Sequence, residues 1–354
     1  MRKTRVLVVE DSLTVRRRLC DVLAGDPELE VAGEADDGRQ AIEMCRALRP
    51  DVITLDMMLP VLSGLAATEY IMAHFATPIL VVSSSTNRGE LFKTYDALAA
   101  GAVDVLEKPM GDEIEGEWEA RLRSTVKMVA RIRVITHPRG RLAHLGRPPD
   151  SRPLPRARPT HSRVVAVGAS TGGPGAVVEV LRDLPPDFPL PVLLVLHIGA
   201  PFAASLAEWL DAQTAHRVRY AVDGELLERV AGRVLMAPPE RHLTVQGSRL
   251  RLSDDPERHS CRPSVDVLFE SVARSCGETA VACLLTGMGR DGAAGLLEVR
   301  RAGGLTLAQD EATSVVYGMP REAVLLGAAE RVLPLGEIGR ALAAAADGPG
   351  EAKP

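Results

Sequence analysis

Val164-Val165-Ala166-Val167-Gly168-Ala169-Ser170-Thr171-Gly172-Gly173 is a run of small and β-branched apolar residues stopped by a Gly/Ser/Thr turn. Such a run reads as a strand buried on both faces of a parallel sheet, and the turn reads as the entry to a helix. Ser170 then lies at the carboxyl end of a strand, beside the backbone N–H groups that open a helix, where open α/β sheets place their chemistry. A dinucleotide-binding loop is the plain alternative. Its G-x-G-x-x-G fingerprint needs a second glycine where backbone meets pyrophosphate, and that position holds Ser170. The next apolar run, Val192-Leu193-Leu194-Val195-Leu196, would end in an acid for ribose hydroxyls in a nicotinamide enzyme, but it ends in His197. A serine and a histidine at the tips of neighbouring strands suit a hydroxyl nucleophile and its base.

Downstream, Pro201, Phe202, Leu206, Trp209 and Leu210 predict an amphipathic helix, and shorter strands are expected around Val218-Arg219-Tyr220, Val234-Leu235-Met236 and Leu250-Arg251-Leu252. A helix carrying Val265, Leu268, Phe269 and Val272 leads to the strand Ala280-Val281-Ala282-Cys283-Leu284-Leu285. That strand stops at Thr286-Gly287-Met288-Gly289-Arg290-Asp291-Gly292, a turn rich in free N–H donors. A histidine base needs an acceptor that fixes its tautomer and stabilises the imidazolium. Asp291 fits, and Asp310, after Gly304-Leu305-Thr306-Leu307, fits equally well on spacing. His242 and His259 are rival histidines, expected in loops or on the surface because neither ends an apolar strand. Met288 alone reads as core or lid packing.

Upstream, short apolar strands alternate with helical patterns: Val6–Val9, Val31–Glu34, Val52–Leu55, Ile79–Val82 and Val103–Leu106. Alternation of this kind predicts a doubly wound parallel sheet with functional groups at strand carboxyl ends. Glu10-Asp11, Asp56, Ser83-Ser84 and Lys108-Pro109 stand at those ends. Crowded carboxylates either rise in pKa or hold a divalent cation, and Mg²⁺, bound by few carboxylates and completed by a phosphoryl oxygen, fits best. An aspartate there can accept a phosphoryl group whose oxygens a hydroxyl and an ammonium bind. One strand-end Asp would be read as a helix cap; four such positions in register argue for chemistry. A haloacid-dehalogenase-type phosphatase needs a second Asp two residues on, where Met58 stands. The Lys108-Pro109 bond is a candidate cis peptide. From Gly111 a helical pattern with Trp118, Leu122, Thr125, Val129 and Ile132 follows. Residues 137–162, rich in Pro and Arg, then read as a semi-extended tether.

A net charge of −5 supplies no general attraction to nucleic acid or an anionic membrane, and 3% aromatic residues leave little for base stacking. No apolar run reaches spanning length, and Met1-Arg2-Lys3-Thr4-Arg5 lacks a signal-peptide core. The five cysteines are scattered and never in C-x-x-C spacing, so neither a disulfide framework nor a zinc site is expected, and a reducing cytoplasm is the simplest home.

Residues 1–125 resemble a response-regulator receiver domain, a flavodoxin-like fold with a five-stranded parallel sheet. The resemblance rests on Glu10-Asp11, Asp56, Ser83 and Lys108-Pro109. It implies Asp56 as phosphoacceptor, Asp11 and Asp56 as Mg²⁺ ligands, and Glu10, Ser83 and Lys108 in support. Val105 stands where receivers usually carry an aromatic residue. Residues 163–345 resemble the catalytic domain of the CheB family of protein-glutamate methylesterases, a doubly wound α/β domain. Here the matches are Gly168 to Pro174, His197, Asp223-Gly224-Glu225, Arg262-Pro263-Ser264-Val265-Asp266-Val267-Leu268-Phe269, Leu285 to Gly289 with Asp291-Gly292, Ala308 to Ala312 and Gly318-Met319-Pro320-Arg321. It implies a Ser170, His197, Asp291 triad, with Thr171 and the Met288 backbone helping the transition state. Departures from the family are Ile198, Pro239-Glu240-Arg241 and Cys261, the last at a position where a histidine is common. Residues 126–162 are then a helix end and linker, and 346–354 a disordered tail. The two resemblances together imply a phosphorylation-activated hydrolase whose unphosphorylated receiver covers the active site. It would act on methyl esters, and on glutamines by deamidation, in methyl-accepting chemoreceptors, with a CheA-type histidine kinase as phosphodonor. No nucleic acid, membrane insertion or hydrolase cofactor is implied.

Overall fold

The computed structural model describes residues 2–84, 87–109, 116–132, 134 and 162–346. It divides into two compact units, Met1–Gly146 and Arg147–Pro354. The expected tether over 137–162 and tail over 346–354 lie, apart from Ser162 and Ala346, outside the described residues.

The first unit alternates β1 (Thr4–Val9), α1 (Leu13–Ala24), β2 (Leu29–Ala35), α2 (Gly38–Leu48), β3 (Val52–Leu55), α3 (Gly64–His74), β4 (Ile79–Ser83), α4 (Arg88–Ala99), β5 (Asp104–Glu107) and α5 (Glu117–Val129). Its strands form one parallel sheet in the order β2-β1-β3-β4-β5. Strand order reverses at β1 and β3, whose carboxyl ends deliver Glu10, Asp11 and Asp56 to the crevice such a switch point creates. On one face Val6, Val8, Leu80 and Val82 pack against Leu19, Leu23, Trp118, Leu122, Val126 and Val129. The buried seam of α5 runs through Val126, not Thr125, because 118, 122, 126 and 129 keep one face of a 3.6-residue turn. Among the described residues the cis peptide bond is Arg262–Pro263, and Lys108–Pro109 is not cis.

The second unit comprises β6 (Val164–Ala169), α6 (Gly173–Asp183), β7 (Val192–Leu196), α7 (Ala200–Ala203), α8 (Leu206–Gln213), β8 (Arg217–Tyr220), β9 (Arg233–Met236), β10 (His242–Gln246), β11 (Arg249–Ser253), α9 (Val265–Cys276), β12 (Ala280–Leu284), α10 (Ala293–Arg301), β13 (Leu305–Gln309), α11 (Met319–Leu325), β14 (Arg331–Leu333) and α12 (Leu335–Ala346). Seven strands form a parallel sheet in the order β14-β13-β12-β6-β7-β9-β8, and β10 with β11 makes a separate antiparallel hairpin. The helix expected across residues 201–210 is two helices, broken at Ala204 and Ser205. Strand β10 was not expected: its apolar residues, Leu243 and Val245, are too few to stand out. His242 at its start is fully buried, contrary to the loop or surface position read from sequence.

Strand β6 lies mid-sheet, with β7 on one side and β12 on the other, which is why its run is apolar on both faces. Gly168 lets α9 close over it: a Cβ there would lie 2.2 Å from Val265 Cγ1 and 3.1 Å from Leu284 Cδ1. Overpacking of this kind costs about 1–3 kcal/mol. Gly168→Ala is therefore expected to lower the melting transition of this unit in calorimetry, with the other unit's transition as internal reference. An unchanged transition would mean that α9 moves aside freely.

Candidate active site and phosphoacceptor site

The ladder bonds of β6 bring three segments to one edge. His197 N–H donates to Ala169 O at 3.0 Å, Leu285 N–H to Gly168 O at 2.8 Å, and Ser170 N–H to Thr286 O at 3.0 Å. Ser170 thus sits between the His197 tip and the Thr286–Gly292 loop. Gly287 permits this closeness, since a Cβ there would meet Ser170 Cβ at 2.8 Å and Met319 Sδ at 2.3 Å. Because Ser170 N–H is committed to Thr286, the N–H groups without a partner among the described residues at this edge include those of Thr171 and Met288. The Met288 side chain is 50% exposed, so it is not core packing.

Asp291 is buried and oriented by the N-terminus of α9. It accepts from Ser264 Oγ at 2.7 Å, Val265 N–H at 2.7 Å and Asp266 N–H at 3.1 Å. His197 Nε2 lies 3.0 Å from Asp291 Oδ2, an ion-pair distance, although the N–H direction misses full hydrogen-bond geometry. Such bonds commonly tighten only when substrate is bound. Burial opposes ionisation of Asp291, yet His197, Ser264 and Val265 outweigh it and hold the carboxyl below its ordinary value. Burial likewise disfavours the imidazolium, but Asp291 and then Cys261 outweigh it and raise His197 to about 9. Cys261 Sγ lies 3.9 Å from His197 Nδ1.

Geometry separates the rivals that spacing left equal. Asp310 is used in its own turn, accepting from Thr313 N–H and Oγ1 at 3.0 and 2.5 Å. His242 has Nδ1 accepting from Ser264 N–H at 3.1 Å and Nε2 3.2 Å from Pro256 O, which holds the ring as a strut beneath Ser264. His259 is held 3.2 Å from Asp266 Oδ2 and accepts from Arg290 Nε at 3.3 Å. Sequence reading gave no individual role to Ser264 or Cys261. Ser264 begins an apolar helix with Asp two residues on, an N-cap signal; that its hydroxyl would serve Asp291 is a tertiary fact. No local signal placed Cys261 beside His197.

In the first unit Lys108 Nζ lies 2.8 Å from Glu10 Oε2 and 2.9 Å from Asp56 Oδ2. Glu10 and Asp56 are buried, and Asp11 is exposed. Burial disfavours the ammonium, but Asp56 and Glu10 outweigh it and raise the Lys108 pKa. Burial raises Glu10 to about 6 against the opposing pull of Lys108. Asp56 Oδ1 accepts from Met57 N–H at 2.8 Å. Ser83 Oγ is buried with no partner among the described residues, as a hydroxyl reserved for an incoming oxygen would be. Glu10, Asp11 and Asp56 each offer a carboxylate oxygen within 4.8 Å of the others. This all-oxygen donor set suits Mg²⁺.

Comparison with known proteins agrees with both halves. Residues 165–342 match the family model for CheB methylesterase, and residues 6–115 that for the response regulator receiver domain. The chain is 48% identical over 341 residues to protein-glutamate methylesterase/protein-glutamine glutaminase 2 of Anaeromyxobacter dehalogenans, covering 96% of each chain. It is 45% identical to the protein of the same name from Pseudomonas aeruginosa, covering 95% of each. Among solved structures it is similar to the CheB methylesterase catalytic domain of Thermotoga maritima, at 34% identity and a TM-score of 0.49, covering 52% of this chain and 98% of that one. No helix among the described residues is long and apolar enough to cross a membrane. With a family model over residues 165–342, a second over residues 6–115, and relatives 45–48% identical over nearly the whole length, the chain belongs to the CheB methylesterase family.

Proposed function

We propose that residues 163–345 form a serine hydrolase that removes methyl esters from glutamyl residues of chemoreceptors and deamidates receptor glutamines. Residues 1–125, joined through 126–162, are its phosphorylation switch. The observation that carries this reading is the Asp291 carboxylate 3.0 Å from His197 Nε2, on a strand tip adjoining that of Ser170. Since Nε2 faces Asp291, Nδ1 is the nitrogen that takes the Ser170 proton. Ser170 Oγ then bonds to the ester carbonyl carbon, and the oxyanion is met by Thr171 and Met288 N–H. The imidazolium returns its proton as the bond to methoxide breaks, releasing methanol, or ammonia from a glutamine. Water, activated by the same histidine, hydrolyses the acyl-enzyme to glutamate and free Ser170.

Asp56 is the phosphoacceptor on this reading, with a CheA-type histidine kinase as donor in the cytoplasm. Lys108 and Ser83 bind the phosphoryl oxygens. When bound by Asp11 and Asp56, with Glu10 beside them, Mg²⁺ neutralises charge on the transferring group.

The test is methanol release from methylated receptor in membranes, with and without acetyl phosphate and Mg²⁺. Wild type is expected to respond to acetyl phosphate, and Asp56→Asn is expected to lose that response. If release with a cognate receptor never exceeds that of Ser170→Ala, the hydrolase reading fails and a phosphorylation-gated adaptor replaces it.

A further inference from the structure

Cys261 lies beside His197, and the esterase mechanism does not use it. It is partly exposed, whereas Cys45, Cys276 and Cys283 are buried. Its sulfur lies 3.9 Å from His197 Nδ1, while Nε2 of the same ring faces Asp291. One ligand atom from each of Cys261, His197 and Asp291 lies within 4.8 Å of the others.

This arrangement meets three requirements of a zinc site. First, zinc bonds of about 2.3 Å to sulfur and 2.0 Å to nitrogen put tetrahedral S and N ligands roughly 3.5 Å apart. The observed separation is a few tenths of an ångström wider, within reach of a small rotation of the thiol. Second, a metal-ligating histidine characteristically gives its other ring nitrogen to a carboxylate, which fixes the tautomer. Asp291 already stands there, itself fixed by Ser264 and the start of α9. Third, a thiolate and an imidazole select zinc over magnesium, in contrast to the all-oxygen set of Glu10, Asp11 and Asp56. Nearby cationic side chains are engaged elsewhere: Arg258 with Asp266 and Glu270, Arg290 with His259, and Arg262 with the carbonyls of Asp254 and Asp255.

We propose that Cys261 and His197 bind Zn²⁺ through Sγ and Nδ1, with Asp291 orienting the ring and water completing the coordination, and that the bound metal reversibly blocks the hydrolase. The thiol loses its proton to solvent as the sulfur–metal bond forms. The inhibitory half rests on the proposed function, because Nδ1 is the nitrogen that must accept the Ser170 proton. The binding half stands without it.

The experiment uses the full chain in excess Mg²⁺, which occupies the receiver carboxylates. Co²⁺ is the first probe, and a thiolate-to-cobalt charge-transfer band in the near ultraviolet is expected, lost on adding Zn²⁺. Zn²⁺ is also expected to slow iodoacetamide alkylation of Cys261, followed by peptide mass spectrometry. Both signals should persist in Ser170→Ala. The band should be absent from Cys261→Ala and Cys261→Ser. Each variant's methanol release is expressed against its own chelator-treated rate. Half-inhibition of the two Cys261 variants should need at least roughly tenfold more Zn²⁺ than wild type, since even an outer-shell partner is worth that much. A wild type without the band or the protection overturns the proposal, as does a band that survives in Cys261→Ala or equal zinc sensitivity of wild type and variants. Absence of methanol release from metal-free wild type is a different failure: it sinks the esterase reading and leaves both binding signals to decide the metal site.

Discussion

Ser170→Ala is expected to lower methanol release by roughly 10⁵-fold or more, the scale seen when a hydrolase loses its nucleophile but keeps its oxyanion donors. The loss should fall on kcat. Of the neighbouring hydroxyls, that of Thr286 is already engaged, donating to Thr171 O at 3.0 Å. The fold should be indifferent: Ser170 Oγ makes no hydrogen bond to another described residue. What the structure uses is the Ser170 backbone, whose N–H holds Thr286 O and whose carbonyl accepts from Gly173 N–H, and alanine keeps both. A fluorophosphonate probe should label wild type once and the variant not at all, with matching melting curves. If Ser170→Ala kept more than about one hundredth of the wild-type rate, Ser170 would not be the nucleophile.

The parts of this site that were legible in the sequence share one physical cause. Strands buried on both faces cannot carry polar residues along their length, so β6, β7 and β12 read as unbroken apolar runs, and the first polar residue after each run marks its tip. Ser170 and His197 were found that way, and so were Glu10, Asp56 and Ser83 in the other unit. Asp291 was harder, since it lies seven residues past the end of β12 and Asp310 had an equal claim on spacing. Only the chain's path, which lays Asp291 on the first turn of α9, separates them. His242 misled for a related reason: its strand is short and half polar, so nothing local said that its ring would be buried under Ser264. The break between α7 and α8 carries one local sign, Ser205 with Glu208 three residues on, a helix-start pattern that the continuous apolar spacing of Phe202, Leu206, Trp209 and Leu210 masks. Contacts made across the fold, such as Cys261 to His197, leave no trace in local spacing.

Asp291→Asn should be nearly as damaging as loss of the nucleophile, at about 10⁴-fold in kcat, and it carries a signature in pH that a mere loss of folding would not. In wild type, His197 is raised to about 9, so at neutral pH most molecules hold an imidazolium that cannot accept the serine proton. The sign follows: kcat in chelator-treated buffer should climb by about tenfold per pH unit from neutrality and level off near pH 9. The amide removes the negative charge that favours the imidazolium while burial, which disfavours it, remains. The ascending limb must therefore move to lower pH. The maximum must fall as well, because Ser264 Oγ–H and Asp266 N–H both donate to Oδ1 and will claim the amide oxygen, which leaves the NH₂ at the Oδ2 position, where it also loses the bond from Val265 N–H. The amide NH₂ is then left facing His197 Nε2, which can only accept from it, so the ring proton is driven to Nδ1, the nitrogen that must be bare to act as base. A limb that stays near pH 9 in Asp291→Asn would show that another group sets the His197 pKa. A kcat reduced less than about tenfold would remove Asp291 from the triad altogether.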